Sequence, residues 1–421
     1  MRATIRFWAA LVGITLLPGC SSDSADDAEQ STGAAQPEQR RASWAVSPQD
    51  YTAVLSGGPF PAPMPMEFAN QSIRQIMHLS VGGKSVRVRF SNLFGTAPLT
   101  LSGAHIARAG AGSAIDAASD TELKFAGQTS VTIPAGQEQW SDASTLTIDS
   151  AGNVAVTLFV SGSAPVATIH SVGSQTQFVT AGNALSAASF SDAETRTVYY
   201  WVTGIDVVAA GSGGVIVAFG DSITDGVGST LDANHRYPNY LAERLRADAS
   251  WAGYGVINEG ISGNRVLNDI AGPMAVGRFA RDVTEQSGAS HVIMLIGIND
   301  LGFSGIVPAQ AVTADQVTGG LQAMISQAQA KDLKVYLATL TPLLGTMAPY
   351  YSDQTESLRG TINTWIRDEA DVDGVIDFDR AVQDPANALA LNPAYDSGDH
   401  LHPSDAGYQV MANAIDLSLF R

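Results

Sequence analysis

The stretch Val215-Ile216-Val217-Ala218-Phe219-Gly220-Asp221-Ser222-Ile223-Thr224 decides the fold of this chain. Its first five residues are all apolar, which is typical of a strand buried on both faces of a parallel sheet. Gly220 permits a tight backbone turn after that strand, and the residues that follow can begin a helix. The pattern therefore predicts that the hydroxyl of Ser222 lies at the carboxyl end of a strand, where open α/β sheets bind ligands.

Apolar runs and helical patterns alternate downstream of this stretch, as a parallel sheet with crossover helices requires. Ser404 is in a suitable N-cap position for a last helix. We predict a three-layer α/β/α domain over residues 211–421. Its further strands are expected at 254–258, 291–296, 334–340 and 374–378, and its helices at 237–249, 275–286, 313–330 and 357–369.

The pattern between residues 43 and 210 is different. Ser85-Val86-Arg87-Val88-Arg89-Phe90 alternates polar and apolar residues, and residues 197–208 are rich in β-formers. Clusters of Gly, Ser, Asn and Pro interrupt these runs at short intervals, and there is little helical periodicity. The sequence therefore predicts an all-β sandwich of jelly-roll type.

The first twenty residues predict export. A basic start, Met1 to Arg6, precedes an apolar run at 7–17 that is too short to span a bilayer permanently. Leu17-Pro18-Gly19-Cys20 resembles the lipobox of bacterial lipoproteins, and Cys20 is the only cysteine of the chain. We therefore predict a lipoprotein signal peptide over 1–20 with lipidation at Cys20; an ordinary secretory signal is the alternative.

A flexible acidic tether is predicted over residues 21–42, which are rich in Ser, Ala, Asp, Glu and Gln. The expected location is extracytoplasmic, anchored by lipid at the outer membrane or cell surface, or secreted. Contact with the membrane is expected through that anchor only.

Composition and charge limit the partners. The chain has 421 residues, 45% of them hydrophobic, which fits a globular protein of two or three domains. A formal net charge of −18 argues against a nucleic-acid partner, which would need clustered Lys and Arg. The oligomeric state stays open.

Far downstream, Asp399-His400-Leu401-His402-Pro403 supplies a candidate base with an orienting acid. A serine hydroxyl is a weak nucleophile until a base accepts its proton, and His402 can do so for Ser222. Asp399 can bond the other imidazole nitrogen and fix its tautomer. A metal site that includes Asp396, Asp399 and His400 is the alternative, although no further ligand follows at a fixed spacing.

Two further motifs offer donors for an oxyanion. Gly263 lies in Ile261-Ser262-Gly263-Asn264, and Asn299 lies in Gly297-Ile298-Asn299-Asp300, interpreted as a strand end. The amides of Ser222 and Gly263 and the side-chain amide of Asn299 are donors of the type that stabilises a tetrahedral intermediate. Asp221 and Asp300 are expected to have structural roles.

In this order, Gly220-Asp221-Ser222-Ile223, Gly263, Gly297-Ile298-Asn299-Asp300 and Asp399-His400-Leu401-His402 resemble the four blocks of the SGNH hydrolases, also called the GDSL esterase/lipase family. The resemblance covers residues 214–421. It implies a flavodoxin-like fold with a triad of Ser222, Asp399 and His402. It also implies an oxyanion hole of Ser222, Gly263 and Asn299, with no metal and no organic cofactor.

Residues 74–95 resemble, less specifically, the β-rich N-terminal domain of some two-domain secreted SGNH esterases. The role of that region stays open among carbohydrate binding, formation of a cleft wall and stabilisation of the enzyme.

The expected activity is hydrolysis of short-chain or acetyl esters, on small molecules or polysaccharides, through an acyl-enzyme. A lipase or lysophospholipase is the alternative, and a non-catalytic surface-binding lipoprotein is a further one. A modest substrate pocket is expected to be lined by Leu301, Phe303, Leu343 and Tyr350.

Overall fold

The computed structural model describes residues 39–53 and 66–421. The predicted signal peptide, Cys20 and most of the predicted tether lie outside the described residues. Residues 40–42, predicted as the end of the tether, instead begin strand β1 (Arg40–Ala45). Arg41 is buried there because its guanidinium donates hydrogen bonds to the carbonyl groups of Gly211 and Gly253.

The N-terminal part is built from antiparallel strands, as the sequence predicts. Within residues 39–53 and 66–208 the strands are β1, β2 (Gln49–Asp50), β3 (Glu67–His78), β4 (Lys84–Ser91), β5 (Leu99–Leu101), β6 (Gly103–Arg108), β7 (Thr121–Glu122), β8 (Val131–Ile133), β9 (Glu138–Trp140), β10 (Asn153–Pro165), β11 (Thr168–His170), β12 (Gln177–Ala181), β13 (Glu194–Arg196), β14 (Tyr199–Tyr200) and β15 (Val202–Val208). The larger sheets have the orders β1-β15-β4-β9 and β13-β12-β3-β10-β6-β7, and smaller ones are β14-β11-β2 and β5-β8.

The two larger sheets share one hydrophobic core. Val88 and Phe90 of β4 belong to the same buried cluster as Ile73 of β3 and Val156 of β10. In β4 the side chains that enter this cluster alternate along the strand, which is the period-2 pattern visible in the sequence. The jelly-roll connectivity itself stays a prediction.

The C-terminal part contains a parallel sheet in the order β17-β16-β18-β19-β20. Its strands are β16 (Val215–Gly220), β17 (Gly255–Gly260), β18 (Ala289–Leu295), β19 (Lys334–Ala338) and β20 (Gly374–Ile376). Every pairing between neighbours is parallel. This is the flavodoxin-like order 2-1-3-4-5, so the predicted fold class is confirmed.

Helices cover both faces of this sheet. On each face the apolar side chains of the strands and the helices form a separate buried cluster. The helices are α1 (Ser222–Asp225), α2 (Tyr237–Ala247), α3 (Ala275–Phe279), α4 (Ile298–Ile306), α5 (Ala314–Gln329), α6 (Asp353–Asp368), α7 (Phe378–Val382) and α8 (Asp405–Ala414). A π-helical turn at Ala280–Thr284 continues α3, and a hairpin of β21 (Gln383–Asp384) and β22 (Asn387–Leu391) precedes the last loop.

Local capping explains where the helices differ from prediction. Helix α6 begins at Asp353, earlier than the predicted 357, because Ser352 and Thr355 form a capping box. Ser404 caps α8 as predicted. Helix α4 was not predicted, because it follows β18 so closely that its first residues resemble the end of the strand.

The antiparallel and parallel parts pack closely together. The amide of Ala42 in β1 donates to the carbonyl of Ser287, and the amide of Val256 in β17 donates to Oγ of Ser80. Across residues 39–53 and 66–421, no helix has the length and apolar character needed to cross a membrane.

Candidate active site

Ser222 lies where the central strand β16 ends. Gly220 closes the strand, Asp221 is the N-cap of α1, and Ser222 is the first residue of that helix. The Asp221 carboxylate accepts a hydrogen bond of 3.1 Å from the amide of Ile223, which fixes the turn. Ser222 is 3% exposed.

The loop before α8 brings a histidine to this hydroxyl. Nε2 of His402 lies 2.8 Å from Oγ of Ser222, and Nδ1 of His402 lies 2.6 Å from Oδ2 of Asp399. An ionised carboxylate accepts only, so Nδ1 carries a hydrogen and Nε2 can accept the serine proton. The geometry is that of a nucleophile, a base and an orienting acid.

Asp399 is held as a carboxylate by the loop itself. Its Oδ1 accepts hydrogen bonds from the amides of Leu401 and His402, at 3.0 and 2.8 Å. Partial burial would raise the pKa of Asp399, but the bonds from the side chain and amide of His402 outweigh it and hold the pKa well below its usual range. The acid therefore stays ionised whenever His402 is neutral.

Gly263 forms a turn with a positive φ of 79° beside the nucleophile helix. This left-handed conformation is readily adopted by glycine, and a Cβ atom here would lie 3.1 Å from Cβ of Ala271. The preceding residue, Ser262, donates its amide to Oδ2 of Asp225 in α1, at 3.0 Å. The turn is therefore tied directly to the helix that begins with Ser222.

Asn299 lies in the first turn of α4 and contacts the same region. Its Nδ2 donates to the carbonyl of Asn264 at 3.1 Å, and its Oδ1 accepts a bond of 3.0 Å from the hydroxyl of Tyr350. The carbonyl of Asn264 only accepts, so the orientation of the amide is fixed. An amide nitrogen has two hydrogens, so one remains for a substrate oxygen.

The predicted pocket lining is partly wrong. Leu301 and Leu343 are completely buried in the hydrophobic core of the α/β region and do not line an open pocket. Tyr350 is also buried, and its hydroxyl orients Asn299.

The two carboxyl groups that were expected to be structural are both buried. Asp300 accepts hydrogen bonds from the amides of Val266 and Leu267, and burial raises its pKa to about 6. Burial likewise raises the pKa of Asp221 to about 7. Both are fixed to backbone amides of the loops around the site.

A metal centre was the alternative for the last loop. His400 is paired there with Asp396, its Nδ1 lying 2.7 Å from Oδ2, and the His400 side chain is 55% exposed. Among residues 39–53 and 66–421, no three His, Cys, Asp or Glu side chains are grouped to hold a metal ion.

The sequence did not predict the buried side chains that contact the segments around Ser222. Arg278 of α3 donates from Nη2 to the carbonyl of Gly220 at 2.8 Å and from Nη1 to Oγ of Ser47 at 2.7 Å. His170 contacts Asp225 in α1. These contacts join segments that are distant in the chain, so no local sequence pattern predicts them.

The site can therefore activate a serine hydroxyl and offer hydrogen-bond donors beside it, which suits acyl transfer. Residues 218–410 match the model of the GDSL-like lipase/acylhydrolase family. These residues form a GDSL-like lipase/acylhydrolase domain. A curated relative, an acetylxylan esterase of Geobacillus stearothermophilus, is 27% identical over 219 residues, which are 48% of this chain and 93% of the relative. The protein is a carboxylic ester hydrolase.

Solved structures of similar proteins cover the same share of the chain. The acetylxylan esterase of Geobacillus stearothermophilus is 26% identical and covers 48% of this chain and 93% of its own, with a TM-score of 0.38. A lipolytic protein of the G-D-S-L family from Desulfitobacterium hafniense is 20% identical, and the match covers 48% of this chain and 96% of that protein, with a TM-score of 0.37. A GDSL-like lipase from Bacteroides thetaiotaomicron is 21% identical, and the match covers 49% of this chain and 87% of that protein, with a TM-score of 0.35.

Proposed function

We propose that this protein is an extracytoplasmic serine esterase that removes acetyl or other short acyl groups from hydroxyl groups of a sugar. The observation that carries the proposal is the 2.8 Å contact between Oγ of Ser222 and Nε2 of His402, with Asp399 on the opposite side of the imidazole.

In the first half of the reaction, Oγ of Ser222 attacks the ester carbonyl while Nε2 of His402 accepts its proton. Asp399 stabilises the imidazolium and keeps it oriented. The amides of Ser222 and Gly263 and Nδ2 of Asn299 donate to the developing oxyanion. His402 then gives its proton to the departing alcohol, and an acyl-enzyme remains.

In the second half, His402 accepts a proton from water, which attacks the acyl-enzyme carbonyl through the same oxyanion donors. Collapse of this intermediate returns the proton to Oγ of Ser222 and releases the acid. Every step uses the same imidazole nitrogen, so one base serves both halves.

Two observations support a short acyl group on a polar alcohol. The apolar side chains of Leu301 and Leu343 are enclosed in the core, so they offer no channel for a long chain. A cleft of about 320 Å³ is bordered by Asp50 and Phe94 of the antiparallel region and by Asp269 of the loop after Gly263. Phe94 offers a stacking face and the two carboxylates offer hydrogen-bond acceptors to a sugar, beside the small and apolar residues at 270–273. The relative named above is an acetylxylan esterase.

Lipid esters are the second candidate, because apolar side chains are exposed near the last loop. Met347 is 78% exposed and Leu389 is 40% exposed. The carbonyl of Leu389 accepts a bond from the amide of Leu344, and the next residue, Gly345, packs against the ring of His400. Such side chains could contact a lipid surface.

The catalytic assignment is tested with Ser222→Ala and a serine-directed fluorophosphonate. We expect the variant to fold, to lose hydrolysis of p-nitrophenyl acetate and to resist labelling. Ser229→Ala is a matched control, because this serine caps the turn at Gly226 and is expected to leave both readouts intact. Undiminished turnover in Ser222→Ala would disprove the assignment.

The substrate is tested with p-nitrophenyl esters of increasing chain length and with acetylated xylo-oligosaccharides. Activity that falls beyond short chains and is high on the acetylated sugar supports the proposal, whereas a maximum at long chains supports a lipase. Phe94→Ala should raise KM for the acetylated sugar and leave p-nitrophenyl acetate unaffected, because the small phenol ester does not extend into the cleft.

The proposed location rests on residues 1–20 alone. We propose that Cys20 is lipidated after removal of the signal peptide. Cys20→Ser should move the protein from the membrane fraction to the soluble extracytoplasmic fraction, with the activity per molecule unchanged. Retention of the variant in the membrane would contradict lipidation at this residue.

A further inference from the structure

A buried histidine of the antiparallel region contacts the helix that begins with Ser222. His170 is the last residue of β11, and only 2% of its surface is exposed. Its Nε2 lies 3.1 Å from Oδ1 of Asp225, the last residue of α1. This contact links the two regions of the protein directly beneath the nucleophile.

Asp225 joins the two turns that carry the proposed catalytic groups. Its Oδ2 accepts a hydrogen bond of 3.0 Å from the amide of Ser262, the residue before Gly263. Its own amide donates to the carbonyl of Asp221 at 2.9 Å, across the turn that contains Ser222. Asp225 therefore bonds to both turns, through its carboxylate to one and through its backbone amide to the other.

The hydrogen bonds define the protonation of His170. Nδ1 lies 3.0 Å from the carbonyl of Ser47, which only accepts, so Nδ1 carries a hydrogen. An ionised Asp225 also only accepts, so Nε2 carries a hydrogen as well. With Asp225 ionised, His170 is therefore an imidazolium that donates on both sides.

Two further titratable side chains lie around the cavity beside His170. A small cavity of about 30 Å³ beside it is also lined by His78 and Arg236, and the ring of Tyr199 lies 6.4 Å away between centroids. Burial alone would lower the pKa of His170, and Arg236 acts in the same direction. The charge of Asp225 and the bonds to Asp225 and Ser47 outweigh both, so the pKa is raised.

We propose that His170 and Asp225 form a positioning pair for ester hydrolysis. His170 holds the Asp225 carboxylate in the orientation in which it binds the Ser262 amide, and thereby keeps the Gly263 turn at its distance from Ser222. Desolvation offsets much of the attraction within a buried ion pair, so the pair is a costly means of stabilising a fold. The inference rests on the proposed roles of Ser222 and Gly263.

The test compares His170→Gln and Asp225→Asn with the wild-type protein. Asp225→Asn keeps the shape of the side chain and removes its charge. We expect both variants to fold and kcat for p-nitrophenyl acetate to fall about 10- to 100-fold, because a displacement of a catalytic group by about 1 Å has an effect of this size. The KM should change less than about twofold. The rate at which the fluorophosphonate labels Ser222 should fall together with kcat. The double variant should be no slower than the worse single variant, because the two residues act as one unit.

Arg41→Ala is the matched control. Arg41 is equally buried and also joins the antiparallel region to the α/β region, but its carbonyl partners precede the strands at the opposite end of the sheet. This variant should lose thermal stability and keep its kcat.

Three results would overturn the proposal: a folded His170→Gln with unchanged kcat, an equal loss of kcat in Arg41→Ala, or failure of both pair variants to fold, which would assign the pair to stability alone. Failure of the proposed function is separate, because it would appear as an active Ser222→Ala protein.

Discussion

The side-chain amide of Asn299 is held from two sides, by the hydroxyl of Tyr350 and the carbonyl of Asn264. The contact from Tyr350 is made to the oxygen, so it leaves one hydrogen of the nitrogen available for the proposed oxyanion. We therefore expect Tyr350 to affect the reaction although it is buried.

We predict that Asn299→Ala lowers kcat about 10²- to 10³-fold with little change in KM, because the donor acts on the transition state. Tyr350→Phe should lower kcat about tenfold by releasing the amide from one hydrogen bond worth about 1 kcal/mol. Tyr351→Phe, at the partly exposed neighbouring position, is the control and should be neutral. A rise in KM without a fall in kcat would assign Asn299 to ground-state binding.

Asp221 provides a second prediction at this scale. Its Oδ1 caps α1, and its Oδ2 has no hydrogen-bond partner among the described residues. Burial raises its pKa from 3.8 to about 7, so the folded state keeps a proton that the unfolded state loses between these values. The stability of the protein should therefore fall as the pH rises from about 4 to about 7.

Asp221→Asn removes this penalty because the amide is neutral. We expect its melting temperature to equal that of the wild type near pH 4 and to exceed it at pH 8. Asp221→Ala removes the charge as well, but it should be about 1 kcal/mol less stable than Asp221→Asn at both pH values, since the cap is gone. If the melting temperatures of the wild type and Asp221→Asn changed equally with pH between 4 and 8, the raised pKa of Asp221 would be contradicted.

At the scale of elements, the turn at Gly263 depends on a left-handed backbone. Gly263→Ala would cost on the order of 1 kcal/mol of strain and bring Cβ to 3.1 Å from Cβ of Ala271. We predict a fall in kcat because relaxation of this contact moves the Gly263 amide. Adding Ala271→Gly should restore part of the activity by removing the opposing methyl group.

Gly112→Ala is the matched control for this prediction. Gly112 also has a positive φ, of 58°, but no atom lies within 4 Å of the position that a Cβ atom would take there. This variant should lose similar stability and keep its full kcat, as measured by melting temperature and steady-state kinetics. If both variants lost activity equally, strain alone would explain the effect.

The parallel strands could be predicted from sequence because a strand buried on both faces is a continuous apolar run, as in Val215–Gly220. The contact between Ser222 and His402 could be predicted because the motifs that contain them occur in the order that the GDSL esterase/lipase family has. Helix α4 was missed since Gly297 changes the chain direction within one residue, at a φ of 127°.

Contacts between distant segments could not be predicted. Tyr350 and Asn299 are 51 residues apart, and His170 and Asp225 are 55 apart. The positions of Leu301 and Leu343 were wrong for a related reason: an apolar residue near a catalytic motif can line a pocket or fill the core, and only the packing distinguishes the two.

At the scale of the whole molecule, the antiparallel region contacts the catalytic domain at several points around the site. Gln49 of β2 donates to the carbonyl of Ala271, His170 binds Asp225, and Oγ of Ser47 donates to Glu259 at 2.6 Å. These contacts end on segments that directly follow or precede the proposed catalytic residues.

We predict that residues 211–421 expressed alone lose most of their esterase activity and have a lower melting temperature than the full chain. The buried Asp225 and Glu259 would lose their partners in the antiparallel region and become exposed to solvent. Adding the antiparallel region in trans is not expected to restore activity fully, because the two fragments must first associate. A fragment as active as the full chain would show that the region is dispensable for catalysis.

The acid and the base lie three residues apart on one short loop, which Asp396 and Asp399 brace through bonds to its own amides. Any displacement of that loop therefore carries both groups together and preserves their mutual geometry. One coordinate remains variable, the separation between Nε2 of His402 and Oγ of Ser222. We therefore expect that substitutions which reshape the outer surface of this loop for a new ester need not rebuild the acid–base pair.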